Sequence, residues 1–437
     1  MKQIKAGLIG FGTIGAGVVK VFQHNGPVIA DRLGAQLELV KIADLDITTE
    51  RGVSVAPGQL TTDVEEILAN PEIDIVIELI GGYEPARTFV LKAIANGKHV
   101  VTANKALLAV HGEEIFAAAS KQGVDVYFEA AVAGGIPIIS SIKENLCANQ
   151  FSSVLGILNG TCNYILTRMT QAGDDFADVL KAAQDLGYAE ADPTFDVEGI
   201  DAAHKLAILL SICFGTRVNF ADISTEGIGN ISSLDIQFAE QFGYKIKLLA
   251  IGKRDGDSIE ARVHPTMIPL YHPLADVEGV FNAVRLVGDF VGPSMQIGYG
   301  AGMEATASAV MGDVMAIARN MQLGGKGVRT PAMAYCADKV SQLAIKPMAE
   351  IVTQYYLRFA ANDQPGVLAQ ISTILGNHHI SIASMIQPER QVGGAVPIVV
   401  LTHEAMEDHI VKALAEIDKL AVIKEQSRFI RIESELE

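Results

Sequence analysis

The residues best suited to chemistry lie between Gly187 and Lys205. Lys205 stands four residues after Asp201, so that on a helix both side chains share one face. A positioned ammonium group can stabilise the alkoxide that forms when a carbonyl carbon accepts a hydride, and it can deliver the proton. Carboxylates crowd the same stretch and would set the charge of such a lysine: Glu190, Asp192, Asp196, Glu198 and Asp201. The spacing therefore predicts a proton-transfer site for carbonyl reduction.

The types of these side chains allow more specific predictions. Glu190 could bind a substrate ammonium group, and Asp196 could orient Lys205 or the substrate. Because a neighbouring carboxylate favours the charged form of a lysine, we predict that Lys205 is mainly an acid and that alcohol oxidation requires alkaline pH. His204 would point about 100° away from Lys205 around a helix, which favours a packing role. A surface ion pair on a helix is the alternative explanation of Asp201 and Lys205.

A glycine-rich turn near the N-terminus predicts a binding site for a dinucleotide. The apolar run at residues 4–9 leads into Gly10-Phe11-Gly12-Thr13-Ile14-Gly15, and an apolar helical segment follows. In this G-x-G-x-x-G pattern a pyrophosphate would meet the helix N-terminus, although a purely structural turn can have the same composition. Asp44, after the next strand, could accept hydrogen bonds from the ribose of NAD, or it could be a solvated acid. Arg51 lies nearby and could serve the extra phosphate of NADP, so the preference stays open.

The alternation of strands and helices predicts the elements that position these residues. Apolar runs at 37–43, 74–80, 98–103 and 125–129 read as further strands, with a helix at 89–96. Such alternation predicts a doubly wound parallel sheet whose ligands lie beyond the carboxyl ends of the strands, where Lys105 falls. After the last of these strands, Glu129 and the carbonyl groups of a small-residue turn could hold a cation, but a turn without an ion fits equally well.

We predict an α/β fold class with a Rossmann-type parallel sheet, an inserted α+β domain and a C-terminal βαββαβ domain. The nucleotide-binding domain would cover residues 1–135 and be rejoined by a helix at about 304–322. Residues 136–303 would form the catalytic and oligomerisation domain, 323–352 a linker and 353–437 the last domain.

Whole-chain properties exclude several classes of function. The 437 residues carry a net charge of −17, which argues against a nucleic-acid partner because phosphate binding needs a basic surface. The four cysteines are scattered, as in a reducing compartment. The N-terminus enters a strand directly and no apolar run approaches the length of about 18 residues that spans a membrane. We therefore expect a cytoplasmic protein without a membrane partner.

Several motifs together resemble homoserine dehydrogenase, and the resemblance runs the length of the chain. The C-terminal unit resembles an ACT domain, a ligand-binding regulatory fold, through Asp363-Gln364-Pro365-Gly366-Val367-Leu368. The other motifs are the glycine-rich turn, Thr102-Ala103-Asn104-Lys105, Gly134-Gly135-Ile136-Pro137, Gly156-Ile157-Leu158-Asn159-Gly160-Thr161 and the stretch from Gly187 to Lys205.

The resemblance implies the reduction of L-aspartate 4-semialdehyde to L-homoserine with NADPH or NADH, on the route to threonine, methionine and isoleucine. It implies that Lys205 is the proton donor and acceptor, that Asp201 and Asp196 complete the catalytic site, and that Glu190 binds the substrate amino group. Lys105 would lie between nicotinamide and substrate. The cofactor would also contact Thr13, Ile14, Gly187 and Gly302.

The resemblance further implies a bound cation, an effector and self-association. A structural sodium ion would be held by Glu129 and the carbonyl groups of Val132, Gly134 and Ile136. Threonine would bind the ACT domain and inhibit, and the assembly would be a homodimer or homotetramer. Two positions depart from the family pattern: Asp44 replaces a basic residue often found in NADP-preferring relatives, and Glu304 replaces a common proline.

Two other functions fit part of this sequence. One is a non-catalytic NAD(P)-binding sensor whose ACT-like unit binds amino acids, although the complete set of Lys205, Asp201 and Glu190 argues against it. The other is an enzyme that acts on a different amino-acid-derived carbonyl, such as an aspartate dehydrogenase. A panel of substrates would separate them.

Overall fold

The N-terminal part of the chain is a doubly wound parallel sheet, as predicted. The computed structural model describes residues 3–323, 330–387 and 395–434. The strands are β1 (Gln3–Ile9), β2 (Gln36–Ala43), β3 (Leu60–Thr61), β4 (Ile75–Glu78), β5 (His99–Thr102) and β6 (Val126–Tyr127), in the order β3-β2-β1-β4-β5-β6. Helices α1 (Thr13–Leu33), α2 (Glu65–Leu68), α3 (Ala86–Ala95) and α4 (Lys105–Gln122) connect them. The central strands are mainly apolar and buried because helices cover both faces of such a sheet.

The middle of the chain forms an antiparallel sheet covered by helices. It begins with a 3₁₀ turn at Glu129–Ala131 and helix α5 (Ile138–Ser140), which continues as a π-helical turn at Ser141–Asn145. The other helices are α6 (Gly160–Ala172), α7 (Phe176–Asp185), α8 (Thr194–Val197), α9 (Ile200–Phe214) and α10 (Ser233–Gln241). The strands are β7 (Phe151–Ile157), β8 (Ser224–Thr225), β9 (Tyr244–Asp255), β10 (Ser258–Pro269), β11 (Phe281–Gly288) and β12 (Gly292–Tyr299). They pair in the order β12-β11-β7-β9-β10, with β8 beside β10. Helix α9 packs on this sheet, and every residue from Asp201 to Phe214 is buried.

Helix α11 (Met303–Gln322) returns the chain to the N-terminal parallel sheet, where it packs on α1. A Cβ atom on Gly17 of α1 would lie 2.7 Å from Cγ of Met303, so only glycine permits this approach. The contact places the start of α11 beside the glycine-rich turn.

The C-terminal unit has the predicted βαββαβ order, with one additional short strand. Its elements are β14 (Val352–Asn362), α12 (Val367–Asn377), β15 (Ile382–Ile386), β16 (Ala395–Thr402), β17 (Ala405–Met406), α13 (Glu407–Ile417) and β18 (Arg428–Ile432), preceded by β13 (Ala344–Ile345). Strand β18 pairs with β14 on one side and in parallel with β10 on the other, through Thr266–Arg431 and Met267–Ile432. The sheets of the middle and C-terminal parts are therefore continuous.

Some boundaries differ from those that the sequence predicts. The strand predicted at 125–129 ends at Tyr127, and Glu129 begins a 3₁₀ turn. The last strand of the C-terminal unit covers Arg428–Ile432. Part of the predicted linker, residues 324–329, lies outside the described residues, whereas β13 pairs with β10. Within the described ranges, no helix has the length and apolar character needed to cross a membrane.

Candidate active site

The predicted acids and lysine meet at the junction of α8 and α9. Gly199 separates the two helices and has a φ of 79°, in the left-handed region that favours glycine. This turn places Asp196 of α8 beside Asp201 and Lys205 of α9. The two α9 side chains are one helical turn apart and form an ion pair of 2.7 Å. The structure therefore brings together the three residues predicted to be catalytic.

Lys205 is buried among hydrogen-bond acceptors. Its Nζ donates to Oδ2 of Asp201 and to the carbonyl oxygen of Leu158, each at 2.7 Å. The same carbonyl oxygen accepts from Nδ2 of Asn282 at 2.9 Å. Burial lowers the pKa of Lys205 by more than the Asp201 carboxylate raises it. The direction of this shift is opposite to the one expected from the neighbouring carboxylate, because burial outweighs the carboxylate. The role of Lys205 as an acid and the need of alcohol oxidation for alkaline pH stay predictions.

Lys105 begins α4 and contacts the other oxygen of the same carboxylate. Its Nζ lies 2.9 Å from Oδ1 of Asp201, so Asp201 bridges two lysines. Burial alone would lower the pKa of Lys105, but the negative charges of Asp201, Asp196 and Glu190 raise it above its ordinary value. Burial would likewise raise the pKa of Asp201, yet the two lysines hold it well below its usual range. At neutral pH the site thus contains one firmly charged lysine and one that releases its proton more readily.

Asn159 fixes the two carboxylates relative to each other. It is the N-cap of α6, where its Oδ1 accepts from the backbone N–H of Cys162 at 2.8 Å. Its Nδ2 donates to Oδ1 of Asp196 at 2.8 Å and to Oδ2 of Asp201 at 3.0 Å. Burial raises the pKa of Asp196 more than this hydrogen bond lowers it. Asn159 therefore acts both as a helix cap and as part of the site.

The remaining acids of this stretch lie at its exposed edge. Glu190 is exposed but close enough for its charge to raise the pKa of Lys105. Asp192 accepts from the backbone N–H of Thr194 at 3.1 Å, and Glu198 is exposed. The structure thus separates Glu190, whose charge acts on Lys105, from Asp192, which binds the first residue of α8.

His204 packs between aromatic rings and does not reach the lysines. Its ring stacks on Phe220 at 3.9 Å between centroids and on Phe195 at 5.5 Å. Phe195 in turn lies 5.7 Å from Nζ of Lys105. This arrangement agrees with the predicted packing role of His204, and it adds Phe195 to the residues around the site.

The glycine-rich turn has the geometry that a dinucleotide requires. A Cβ atom on Gly10 would lie 2.7 Å from the carbonyl carbon of Leu79, and one on Gly15 would lie 2.2 Å from the carbonyl oxygen of Gly10. A Cβ atom on Gly12 would meet nothing within 4 Å. The first and third glycines are thus required by the chain itself, whereas the second leaves space for a pyrophosphate to approach the N-terminus of α1.

Asp44 lies against the same turn. Its Oδ2 accepts from the backbone N–H of Phe11 at 2.5 Å, and its Oδ1 accepts from the N–H of Asp46 at 2.8 Å. Arg51 pairs with Asp46 at 3.1 Å. The carboxylate is therefore placed beside the glycine-rich turn, and its contact with a ribose stays a prediction.

A buried polar network positions Lys105 and was missed from the sequence. Glu78, at the end of β4, accepts from the hydroxyl of Thr102 at 2.7 Å and from the backbone N–H of Ile80 at 2.9 Å. The hydroxyl oxygen of Thr102 accepts from the N–H of Asn104 at 3.0 Å. The sequence signal for this network was Glu78, a carboxylate within the apolar run at 74–80. The network fixes the start of α4, from which Lys105 reaches Asp201.

Gly187 and Gly302 lie in turns with positive φ. Gly187 follows α7 and has a φ of 74°, and Gly302 precedes α11 with a φ of 107°. Because α11 packs on α1, Gly302 lies near the glycine-rich turn. Contact of either residue with the cofactor stays a prediction.

Glu129 holds the start of α5. Its two carboxylate oxygens accept from the backbone N–H groups of Ile139 at 2.7 Å and Ser140 at 2.8 Å. The carbonyl oxygen of Ile136 accepts from the N–H of Ile138 at 2.8 Å. In the described parts of the chain, no group of three or more His, Cys, Asp or Glu residues is arranged to hold a metal ion. These contacts explain Glu129 without an ion, and a sodium ion held with Val132, Gly134 and Ile136 stays a prediction.

Comparison with protein families covers most of the chain. The sequence model described as homoserine dehydrogenase matches residues 137–315, and the one described as homoserine dehydrogenase, NAD binding domain, matches residues 10–129. The ACT domain model matches residues 355–421.

Individual relatives and solved structures agree with these matches. The chain is 48% identical to homoserine dehydrogenase from Pseudomonas aeruginosa and 39% identical to that from Bacillus subtilis, in each case over 434 residues and 99% of both chains. A crystal structure of a homoserine dehydrogenase from Thiobacillus denitrificans is similar with a TM-score of 0.93, 48% identity and 99% coverage of both chains. The enzyme from S. aureus gives a TM-score of 0.77 at 33% identity, again over 99% of both chains.

Proposed function

The chain belongs to the homoserine dehydrogenase family, and we propose on this premise that it interconverts L-aspartate 4-semialdehyde and L-homoserine at the junction of α8 and α9. The observation that carries this assignment is the bridge of Asp201 between Lys205 and Lys105, two lysines whose pKa values shift in opposite directions. An oxidoreductase of this kind needs one group that exchanges a proton and one that keeps a positive charge.

Lys205 is the group that exchanges the proton. In reduction, its ammonium form donates a proton to the aldehyde oxygen as the carbonyl carbon accepts a hydride. In oxidation, its neutral form accepts the hydroxyl proton of homoserine as that carbon gives up the hydride. The carbonyl group of Leu158 and the carboxylate of Asp201 hold Nζ in both directions. A lowered pKa therefore helps oxidation without preventing reduction.

The other predicted residues bind and orient the reactants. Lys105 keeps its charge and lies where nicotinamide and substrate would meet, and Glu190 accepts the substrate ammonium group at the exposed edge. Asp196, fixed by Asn159, completes the site. NAD or NADP would bind at the glycine-rich turn and supply the hydride, with Asp44 at the ribose. Gly12 provides the space that supports this placement.

The C-terminal unit would regulate the enzyme. We assign residues 353–437 to an ACT domain that binds threonine as a feedback inhibitor, in a cytoplasmic route to threonine, methionine and isoleucine. Residues 1–135 with the helix near 304–322 would bind the cofactor, and residues 136–303 the substrate. The continuity of β10 with β18 supports communication between the two parts.

An exposed edge supports self-association as a homodimer or homotetramer. Strand β12 ends the large sheet, so that one row of its backbone groups lacks a neighbouring strand within the described residues. Its side chains Ile297 and Tyr299 are about half exposed, and Phe290 in the adjoining turn is 90% exposed. Exposed apolar edges of this kind tend to pair with another chain. Ile297→Lys should shift the sedimentation coefficient towards that of the monomer, whereas an unchanged value would exclude this edge.

Steady-state kinetics would test the assignment. The protein should consume NADH or NADPH with L-aspartate 4-semialdehyde, and Lys205→Ala should abolish the reaction. Lys181→Ala is a matched control, because Lys181 is an exposed lysine in the same domain, and it should leave the rate unchanged. A protein that binds cofactor but reduces no amino-acid-derived aldehyde would be a sensor. One that prefers another substrate in a panel would be a different dehydrogenase.

A further inference from the structure

A buried arginine of the C-terminal unit contacts the catalytic part of the chain directly. Arg431 on β18 is 2% exposed. Its Nη1 and Nη2 donate to the two carboxylate oxygens of Glu226 at 3.0 and 2.6 Å. Its Nε and Nη2 also donate to Glu407 at the start of α13, each at 2.6 Å. Arg431 therefore joins a helix of the C-terminal unit to a segment of the catalytic part.

The segment that holds Glu226 packs against the turn between α8 and α9. The backbone N–H of Ile228 donates to the carbonyl oxygen of Val197 at 2.9 Å. A Cβ atom on Gly227 would lie 2.5 Å from that same oxygen. A Cβ atom on Gly199 would lie 3.2 Å from Cγ2 of Thr225. The segment and the turn are thus in direct contact, through which a displacement of Glu226 would be transmitted to the turn.

Residues of the candidate site lie on both sides of this turn. Asp196 lies one residue before Val197, and α9 with Asp201 and Lys205 begins after Gly199. We propose that Glu226 and Arg431 are positioning residues through which the C-terminal unit holds the turn between α8 and α9 in its reactive geometry. The inference rests on the proposed function, because it takes this turn to be the place where homoserine reacts.

A second ion pair between the same two parts offers a matched control. Glu433, two residues after Arg431, accepts from Arg262 of β10 and from Lys253 of β9, each at 2.5 Å. Glu433 is 3% exposed, whereas the side chain of Glu226 is 47% exposed. Loss of Glu433 should therefore weaken the contact between the C-terminal unit and the catalytic part at least as much as loss of Glu226. Its partners Arg262 and Lys253 lie on β10 and β9, and neither belongs to the segment 225–228 that packs against the turn.

The test compares Glu226→Gln, Arg431→Lys and Glu433→Gln in the full-length protein. Glu226→Gln should lower kcat/KM for L-homoserine by about tenfold, since small displacements of reacting groups have effects of this size. Arg431→Lys should act in the same way because lysine cannot bind both carboxylates as a fork. The double variant should be no worse than either single variant. Glu433→Gln should lower the midpoint of thermal unfolding but keep kcat and KM.

Two results would overturn the inference. One is a Glu226→Gln variant with the kinetic constants of the wild type, and the other is a loss of activity in Glu433→Gln as large as in Glu226→Gln. Failure of the proposed function gives a different result, because the wild-type protein would then not oxidise homoserine at all.

Discussion

Replacing Asp201 with asparagine should change the pH dependence of catalysis in a defined direction. The variant keeps the shape of the side chain but removes the negative charge 2.7 Å from Nζ of Lys205. Two unit charges at this separation attract by about 6 kcal/mol at an effective dielectric constant of about 20. Because the carboxylate charge is shared by two oxygens, we expect the variant to lose about half of this energy. That loss corresponds to a decrease of about 2 units in the pKa of Lys205.

The two reaction directions should respond oppositely at neutral pH. The pKa of Lys205 already lies below 10.5 in the wild type and falls further in the variant. Oxidation needs the neutral amine, so its kcat/KM should reach a plateau about 2 pH units lower than in the wild type. Reduction needs the ammonium form, so its kcat/KM should begin to fall about 2 pH units lower.

Initial rates in both directions, followed from about pH 6 to about pH 10, would measure these shifts. Asp192→Asn is the matched control, since Asp192 is an exposed acid of the same stretch that caps Thr194. Its profiles should coincide with those of the wild type. An Asp201→Asn profile for oxidation that is unshifted, or that moves towards alkaline pH, would refute the assignment of Lys205 as the titrating base.

Three further variants test other parts of the structure. Gly17→Val should lower the free energy of unfolding by about 1 to 3 kcal/mol because the new side chain crowds Met303. Gly312→Ala, in an open position of α11, is the control and should not lower it. Equal shifts of the thermal unfolding midpoint in the two variants would contradict this packing. His204→Ala should cost about 1 kcal/mol through the lost ring stacking, and His204→Phe should restore most of it in chemical denaturation. Asp44→Ser should raise the ratio of kcat/KM with NADPH to that with NADH about tenfold, or about 1.4 kcal/mol. An unchanged ratio would place Asp44 away from the ribose.

The parallel sheet was predictable from the sequence because its strands are mainly apolar and alternate with helices. The glycine-rich turn was predictable because the G-x-G-x-x-G spacing between a strand and a helix is a local pattern, in which the first and third glycines allow close approach of the chain. The hairpin of β11 and β12 was not predicted, because its alternation of apolar and polar residues is weak. The continuity of the two sheets through β10 and β18 depends on pairs of residues such as Thr266 and Arg431, which are 165 positions apart in the chain, and no local pattern encodes such pairs.

The members of the candidate site were predictable, but their ionisation was not. Spacing alone places Asp201 and Lys205 on one face of a helix. The direction of the pKa shift depends on burial of α9 and on a second lysine, Lys105, that arrives from another domain. The sequence did not indicate that Asn282 belongs to the site, because Asn282 meets the carbonyl group of Leu158 only after β11 has paired with β7.

The position of β18 has a consequence for the synthesis of the chain. One edge of β10 is covered by three short segments from distant places, namely β8, β13 and β18. The last of these emerges from the ribosome only after β10 and all residues of the candidate site have been made. Until then Thr266 and Met267 present unpaired backbone groups at an open strand edge, which is a template for aggregation. Chains that end between α13 and β18 should therefore precipitate or be degraded, although every residue of the candidate site is present in them.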